Sequence, residues 1–350
     1  MIKLSVIVPV YKTPRQLLVR MFDSVCRLPM DTEIVCVFDS PGDICVDVLS
    51  EFASRDSRVK VLLNEKNIGE TASRNRALDY ISGRYFTCVD ADDVIEPQPY
   101  IEAIALMEQY DLDACAVGMD GDGKTLLPEY DGEYSFERDD VLRQAEMSSC
   151  GIVYRTEVIR NNPKLRYPEG LPNNGDYVFA TRFWWTTDKI AAIKKVGYHI
   201  VGHPDSSTRI AYTARRFLSS ASAARMVMEV LDGRKLSARL VDFYARRLLL
   251  AQLWGAKELP ALIREVPHNE YLADVRYAAN VAIDVFATKL NPFVAMSLRC
   301  IAKDPEWLLA HHRLFNIVLR SGCLKSDMMS QLKKFVMNRV TGKCFVKVKV

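Results

Sequence analysis

Leu4-Ser5-Val6-Ile7-Val8-Pro9-Val10 is apolar at nearly every position. A short, almost continuous run rich in β-branched residues predicts a strand buried on both faces, as in a parallel sheet. Similar runs recur at Glu33–Phe38, Val59–Leu63 and Tyr85–Val89. Between them, Pro14–Arg27, Asp43–Arg55 and Gly69–Ser82 carry apolar residues near helical spacing. The order β-α-β-α-β-α-β predicts an α/β sheet with right-handed crossovers. In such sheets ligands gather beyond the carboxyl ends of the strands. Chemistry is therefore expected at Pro9-Val10-Tyr11-Lys12, Asp39-Ser40-Pro41-Gly42-Asp43 and Asp90-Ala91-Asp92-Asp93.

The chain has 350 residues, 49% apolar and 26% charged, which excludes disordered and collagen-like classes and allows a second module. Its most apolar stretch, Leu236–Gly255, is cut by Arg239, Asp242, Arg246 and Arg247, so no membrane span is predicted. The start reads as a strand and not as a signal peptide, so residence in the cytosol is expected. Nine cysteines, an odd number without C-x-x-C pairs, predict reduced and mostly buried thiols.

Split after Thr208, the chain has an acidic front with a net charge of −10 and a basic back with +13. Strand signals stop near Tyr212. Leu236–Trp254, Asn269–Lys289, Pro305–Arg320 and Ser326–Arg339 read as helices. The expected organisation is an α/β domain over 1–210 and an all-α extension over 211–350. The basic back predicts peripheral contact with an anionic membrane through Lys333, Lys334, Arg339, Lys343, Lys347 and Lys349. A solvated face, or pairing with the acidic front, is the alternative. Nucleic acid is disfavoured because no binding motif accompanies the charge.

Asp90, Asp92 and Asp93 crowd three carboxylates into four residues at a strand end. Strand alternation would send Asp90 and Asp92 to one side, where a cation would relieve their repulsion. Hard oxygen ligands select Mg²⁺ or Mn²⁺, with open positions for phosphate oxygens. The alternative is a solvated loop capping the helix that begins near Pro97. Asp120-Gly121-Asp122-Gly123 reads instead as a hairpin turn.

On these residues the sequence resembles the family 2 inverting glycosyltransferases of the GT-A fold. The resemblance is carried in order by Val6–Lys12, Val37–Asp43, Asn67-Ile68-Gly69 with Ala72–Asn75, and Gly83–Phe86 running into Asp90–Asp93. It covers about the first 100 residues closely and extends loosely to Thr208. It implies a nucleotide-sugar donor, usually a UDP-sugar, and a divalent metal, Mn²⁺ or Mg²⁺. It also implies that Pro9 and Tyr11 border the base, that Asp39 hydrogen-bonds it and that Arg74 lies near the nucleotide. Asp90 would contact the ribose side and Asp92 would ligate the metal. Turn roles are the alternative for Tyr11 and Asp39. Phe38 and Ser40-Pro41 depart from the family pattern of two acidic residues before a Gly-Ser turn.

Inverting transfer needs a base for the acceptor hydroxyl. The resemblance places it at Asp176, after Tyr167-Pro168-Glu169-Gly170 and with Gly175 where the family has Glu. Helix capping is the competing role for Asp176. Of Trp184 and Trp185, at least one is expected in the core. His203 is a candidate metal ligand, against a structural histidine.

The expected function is a metal-dependent inverting glycosyltransferase of hexosyltransferase type. Its acceptor would be a saccharide or lipid-linked saccharide in cell-surface glycan assembly. A catalytically decayed GT-A-like nucleotide-binding or scaffold protein is the alternative. A nucleotidyltransferase is disfavoured because Pro9–Pro14 is not a glycine- and lysine-rich phosphate loop.

Overall fold

A computed structural model describes residues 2–40, 46–121, 124–127, 130–145, 148–203, 213–241, 243–244, 247, 268–286 and 292–306. The chain divides into two compact units, Met1–Ala211 and Tyr212–Val350.

Strand β1 (Leu4–Val10) forms over the run predicted for it, with every residue except Pro9 buried. Helix α1 (Arg15–Val25) buries Leu18, Met21, Phe22 and Val25, the spacing of one helical face. Strand β2 (Thr32–Phe38) is buried throughout, and helix α2 (Val46–Arg55) follows. The Phe22 and Phe52 rings stack at 4.4 Å and join α1 to α2. Strand β3 (Val59–Leu63), helix α3 (Glu70–Tyr80) and strand β4 (Tyr85–Cys88) complete the alternation read from the sequence.

The remaining elements of the first unit are β5 (Val94–Ile95), α4 (Pro97–Gln109), β6 (Ala114–Gly121), β7 (Lys124–Leu126), β8 (Tyr134–Ser135) and α5 (Arg138–Gln144). Then come β9 (Ile152–Arg155), α6 (Thr156–Asn161), α7 (Gly175–Trp184) and β10 (Ile190–Ile200). One ten-stranded sheet runs β3-β2-β1-β4-β9-β6-β10-β5, with β7 beside β6 and β8 beside β10. Strands β3, β2, β1 and β4 are parallel, as expected of crossovers through helices. The sheet as a whole is mixed, because β9 inserts antiparallel between β4 and β6.

Two readings are corrected by this order. Strand β3 lies at the edge, so Val61 and Leu63 are exposed although the run reads as fully apolar. Asp90–Asp93 is a turn closed by a bond from the Asp93 amide to the Asp90 carbonyl (3.1 Å), not a continuation of β4. Strand alternation therefore does not place Asp90 beside Asp92. The acidic Asp120–Gly123 segment does join a hairpin, with Asp120 opposite Thr125 and Gly121 opposite Lys124 across β6 and β7.

The second unit contains helices α8 (Ala214–Leu231), α9 (His268–Phe286) and α10 (Pro292–Lys303). Ser222 and Arg225 of α8 both bond Asp274 of α9, at 2.7 and 2.8 Å. Within the segment predicted helical from Leu236 to Trp254, residues 238–241, 243–244 and 247 are described and helical. Beyond Glu306, most of Pro305–Arg320, all of Ser326–Arg339 and the lysines of the tail lie outside the described residues. Among the described residues no helix is long and apolar enough to cross a membrane. Cys36, Cys88, Cys115 and Cys150 are buried free thiols, and Cys26 and Cys300 are half-buried ones.

Candidate active site

The ends of β1 and β2 are joined where the Asp39 amide donates to the Val10 carbonyl at 3.0 Å. Pro9 pairs with Val37 in the β1–β2 register, and Tyr11, just past β1, is 46% exposed. The Tyr11 ring therefore has a free face at the strand-end crevice, with Lys12 Nζ 5.1 Å from its centroid. Asp39 is almost fully buried. Its Oδ1 accepts from Asn64 Nδ2 (2.9 Å) and the Ile68 amide (2.8 Å), and its Oδ2 from the Gly69 amide (2.8 Å). Asp39 thus ties down the loop entering α3, where Gly69 at φ 92° adopts a backbone that other residues rarely take.

Helix α3 feeds three side chains toward the crevice. Arg74 is 1% exposed and bonds Glu70 Oε1 through Nη1 (2.6 Å) and Asp90 Oδ1 through Nη2 (2.5 Å). Its guanidinium also lies 5.4 Å from the Tyr167 ring centroid, and Tyr167 stacks on Phe179 of α7 at 4.0 Å. Arg74 is therefore engaged by two carboxylates and lies beneath Asp90. Asn75 clasps the loop before α7: its side chain donates to the Tyr167 carbonyl (2.9 Å) and Glu169 (3.1 Å) and accepts from the Tyr167 amide (2.9 Å). Neither Glu70 nor Asn75 stands out in the sequence by charge or periodicity alone.

The three aspartates after β4 have different environments. Asp90 is the most open, with its side chain 39% exposed. Asp92 pairs through Oδ2 with His203 Nε2 at 2.8 Å. Burial and the Asp90 charge hold the Asp92 carboxyl above its usual range, against the pull of His203. His203 Nδ1 is buried and has no hydrogen-bond partner. Asp93 is buried and accepts from Tyr198 Oη and the Val201 amide, both at 2.7 Å. Burial and Asp90 push the Asp93 carboxyl up as well. Asp93 thereby fixes the exit of β10, the segment that delivers His203 to Asp92. The helix after this turn takes Glu96 as its N-cap, so none of the three aspartates caps it.

Asp176 lies in the first turn of α7 and accepts from the Tyr177 amide at 2.8 Å. The cap position belongs to Asn174, whose φ of 62° suits asparagine better than most residues. Asp176 is thus not the N-cap. Gly175 explains how α7 approaches α3: a Cβ there would stand 2.2 Å from Thr71 Cγ2. Trp184 is fully buried, whereas Trp185 packs its ring 4.7 Å from the Arg138 guanidinium.

The arrangement gathers Asp90, Asp92, His203, Glu70, Arg74 and Asp176 around one crevice at the strand ends. Its excess of carboxylate over basic charge suits a cation together with a polyanion. No cluster of three or more His, Cys, Asp or Glu with metal-binding geometry occurs among the described residues.

Residues 5–155 match the family model described as Glycosyl transferase family 2. The chain is 26% identical over 186 residues to the uncharacterized glycosyltransferase MJ1057 of Methanocaldococcus jannaschii, covering 51% of this chain and 63% of that protein. It is 30% identical over 223 residues to the uncharacterized glycosyltransferase YibD of Escherichia coli, covering 59% and 64%. In these two comparisons the chain spans less than two thirds of the curated relative. The crystal structure of S. aureus TarS 1–349 in complex with UDP-GlcNAc superposes with a TM-score of 0.69 at 20% identity, over 91% of this chain and 92% of that one. That likeness shows the GT-A fold.

Proposed function

For a chain whose residues 5–155 form a family 2 glycosyltransferase domain, we propose inverting transfer of a sugar from a nucleotide-sugar to a saccharide acceptor. The observation that carries the reading is the Asp92–His203 pair at 2.8 Å beside Asp90, with Asp176 on the facing helix terminus. A UDP-sugar is favoured as donor, since the solved relative TarS is described bound to UDP-GlcNAc and to UDP. Tyr11 offers its exposed face to the base beside Pro9, and Asp39 sits at the neighbouring strand end to accept from a ring N–H. Asp90 faces the ribose side, with Arg74 holding its carboxylate in place.

Asp92 and His203 fit a divalent cation, Mn²⁺ or Mg²⁺. Their oxygen and nitrogen already converge, the Asp92 carboxyl is held high by negative neighbours, and His203 keeps an unpartnered buried nitrogen. When bound, the cation would neutralise charge on the diphosphate leaving group. Asp176 accepts the acceptor hydroxyl proton as that oxygen bonds to the anomeric carbon. The bond from that carbon to the diphosphate oxygen breaks on the opposite face, and the nucleoside diphosphate leaves with the electron pair.

The pathway proposed is assembly of a cell-surface or lipid-linked glycan, with the basic C-terminal region lying against an anionic membrane at its cytoplasmic face. Calorimetry with UDP, GDP and CMP, each with and without Mn²⁺, tests the donor class on the intact chain and on Asp92→Ala. The expected result is Mn²⁺-dependent binding of UDP that Asp92→Ala loses. Absence of binding by every nucleotide overturns the reading.

A further inference from the structure

Glu70 opens helix α3 at the rim of the crevice, and neither the donor nor the metal reading assigns it a role. Its side chain is 56% exposed, yet Arg74, 2% exposed, holds its Oε1 at 2.6 Å. An exposed carboxylate fixed by a buried guanidinium has a defined position without being sealed from a ligand. Its neighbour Thr71 is the residue that α7 approaches most closely at Gly175, so Glu70 and Asp176 flank the same helix-to-helix contact. At the position before Asp176 no side chain is available, because a Cβ on Gly175 would meet Thr71 Cγ2 at 2.2 Å.

We propose that Glu70 is a positioning residue that acts through Asp176: its carboxylate, fixed by Arg74, sets a negative charge beside Asp176 and makes it the stronger proton acceptor. The proposal rests on the glycosyltransferase reading above. The groups facing Glu70 are Arg74 on its own helix, Asp90 and Asp92 from the turn after β4, and Asp176 from α7. Arg74 pulls the Glu70 carboxyl down, but partial desolvation and the Asp90, Asp176 and Asp92 charges outweigh it and leave it above its ordinary range. Coupling of this kind is mutual: a charge that resists ionisation of Glu70 has its own protonation favoured by Glu70. Arg74, shared with Asp90, does not cancel it.

The test is hydrolysis of UDP-GlcNAc and UDP-glucose by the full chain with Mn²⁺, water taking the acceptor's place, followed from pH 4.5 to 8 alongside UDP binding. Glu70→Gln is expected to bind UDP within about twofold of wild type. Its kcat should fall about tenfold, with the acid limb moved down by about one pH unit. Thr71→Ala alone is expected to keep the wild-type limb. Adding Thr71→Ala and Gly175→Glu to Glu70→Gln, which supplies a carboxylate from the other side of the contact, is expected to restore it.

An unmoved limb in Glu70→Gln with UDP binding retained overturns the proposal. Loss of UDP affinity with an unmoved limb makes Glu70 only an anchor for Arg74 and overturns it too. Wild type that neither binds UDP nor hydrolyses either sugar overturns the glycosyltransferase reading itself, and the proposal with it.

Discussion

Gly175 and Thr71 occupy one contact in which only one of them can carry a side chain: a Cβ at 175 would lie 2.2 Å from Thr71 Cγ2 but 3.6 Å from Thr71 Cβ. Gly175→Ala should therefore lower stability by about 1–3 kcal/mol through overpacking. Thr71→Ala in the same chain should recover most of that loss, because only the methyl group is in the way. Urea unfolding of the two single variants and the double variant measures the coupling. Additive losses would show that α7 moves away from α3 instead.

Asp92 and His203 reach each other from segments 111 residues apart. Asp92→Asn and His203→Ala should each weaken Mn²⁺-dependent UDP binding by about 10–100-fold, in the range seen when metal-site groups are lost. Metal-free UDP binding should change little. Titration calorimetry with and without Mn²⁺ separates the two, and an equal loss in both conditions would remove the metal role.

Asp176→Asn keeps shape and removes the proton acceptor. Transfer or donor hydrolysis should fall about 10²–10⁴-fold while UDP affinity stays within about twofold. Steady-state rates compared with binding on the same preparation provide the check. A parallel loss of both would place Asp176 in donor binding.

Glu33 is a buried acid far from this chemistry, on β2. Burial pushes its carboxyl up, but hydrogen bonds from Lys60, Ser5 and Ser82 outweigh it and bring it down to about 2. A carboxyl depressed in the fold stabilises above its unfolded value and loses that contribution as pH falls through the folded value. Wild type should therefore lose roughly 2–3 kcal/mol between about pH 4.5 and 2 from this group. Glu33→Gln should be less stable at pH 7 and should lack that component of the acid slope. Thermal melts of both chains across this range test it.

The parallel half of the sheet was legible because buried crossover strands leave long apolar runs: β1 and β3 occupy the predicted residues, and β2 differs at one end. Strands β8 and β9 were harder, being two and four residues long and defined by partners distant in sequence. The family resemblance supplied Asp92, His203 and Asp176 singly. Their convergence depends on β10, which ends at Ile200 just before His203 and is held at Val201 by Asp93. Glu70 left no trace, since one Glu after Gly69 reads as an ordinary helix opener that suits the dipole. Only the Arg74 bond and the α3–α7 approach give it a place.

Strand β10 is made late yet binds β5, β6 and β8, all made earlier, and carries the chain to His203. During synthesis, a nascent chain that has emerged only as far as Arg155 can hold the order β3-β2-β1-β4-β9-β6 but has no imidazole to offer Asp92. Domains commonly fold while the ribosome is still adding residues. Here the donor half can form early, whereas competence must wait for some fifty further residues, so the crevice becomes functional only once the first unit is nearly complete.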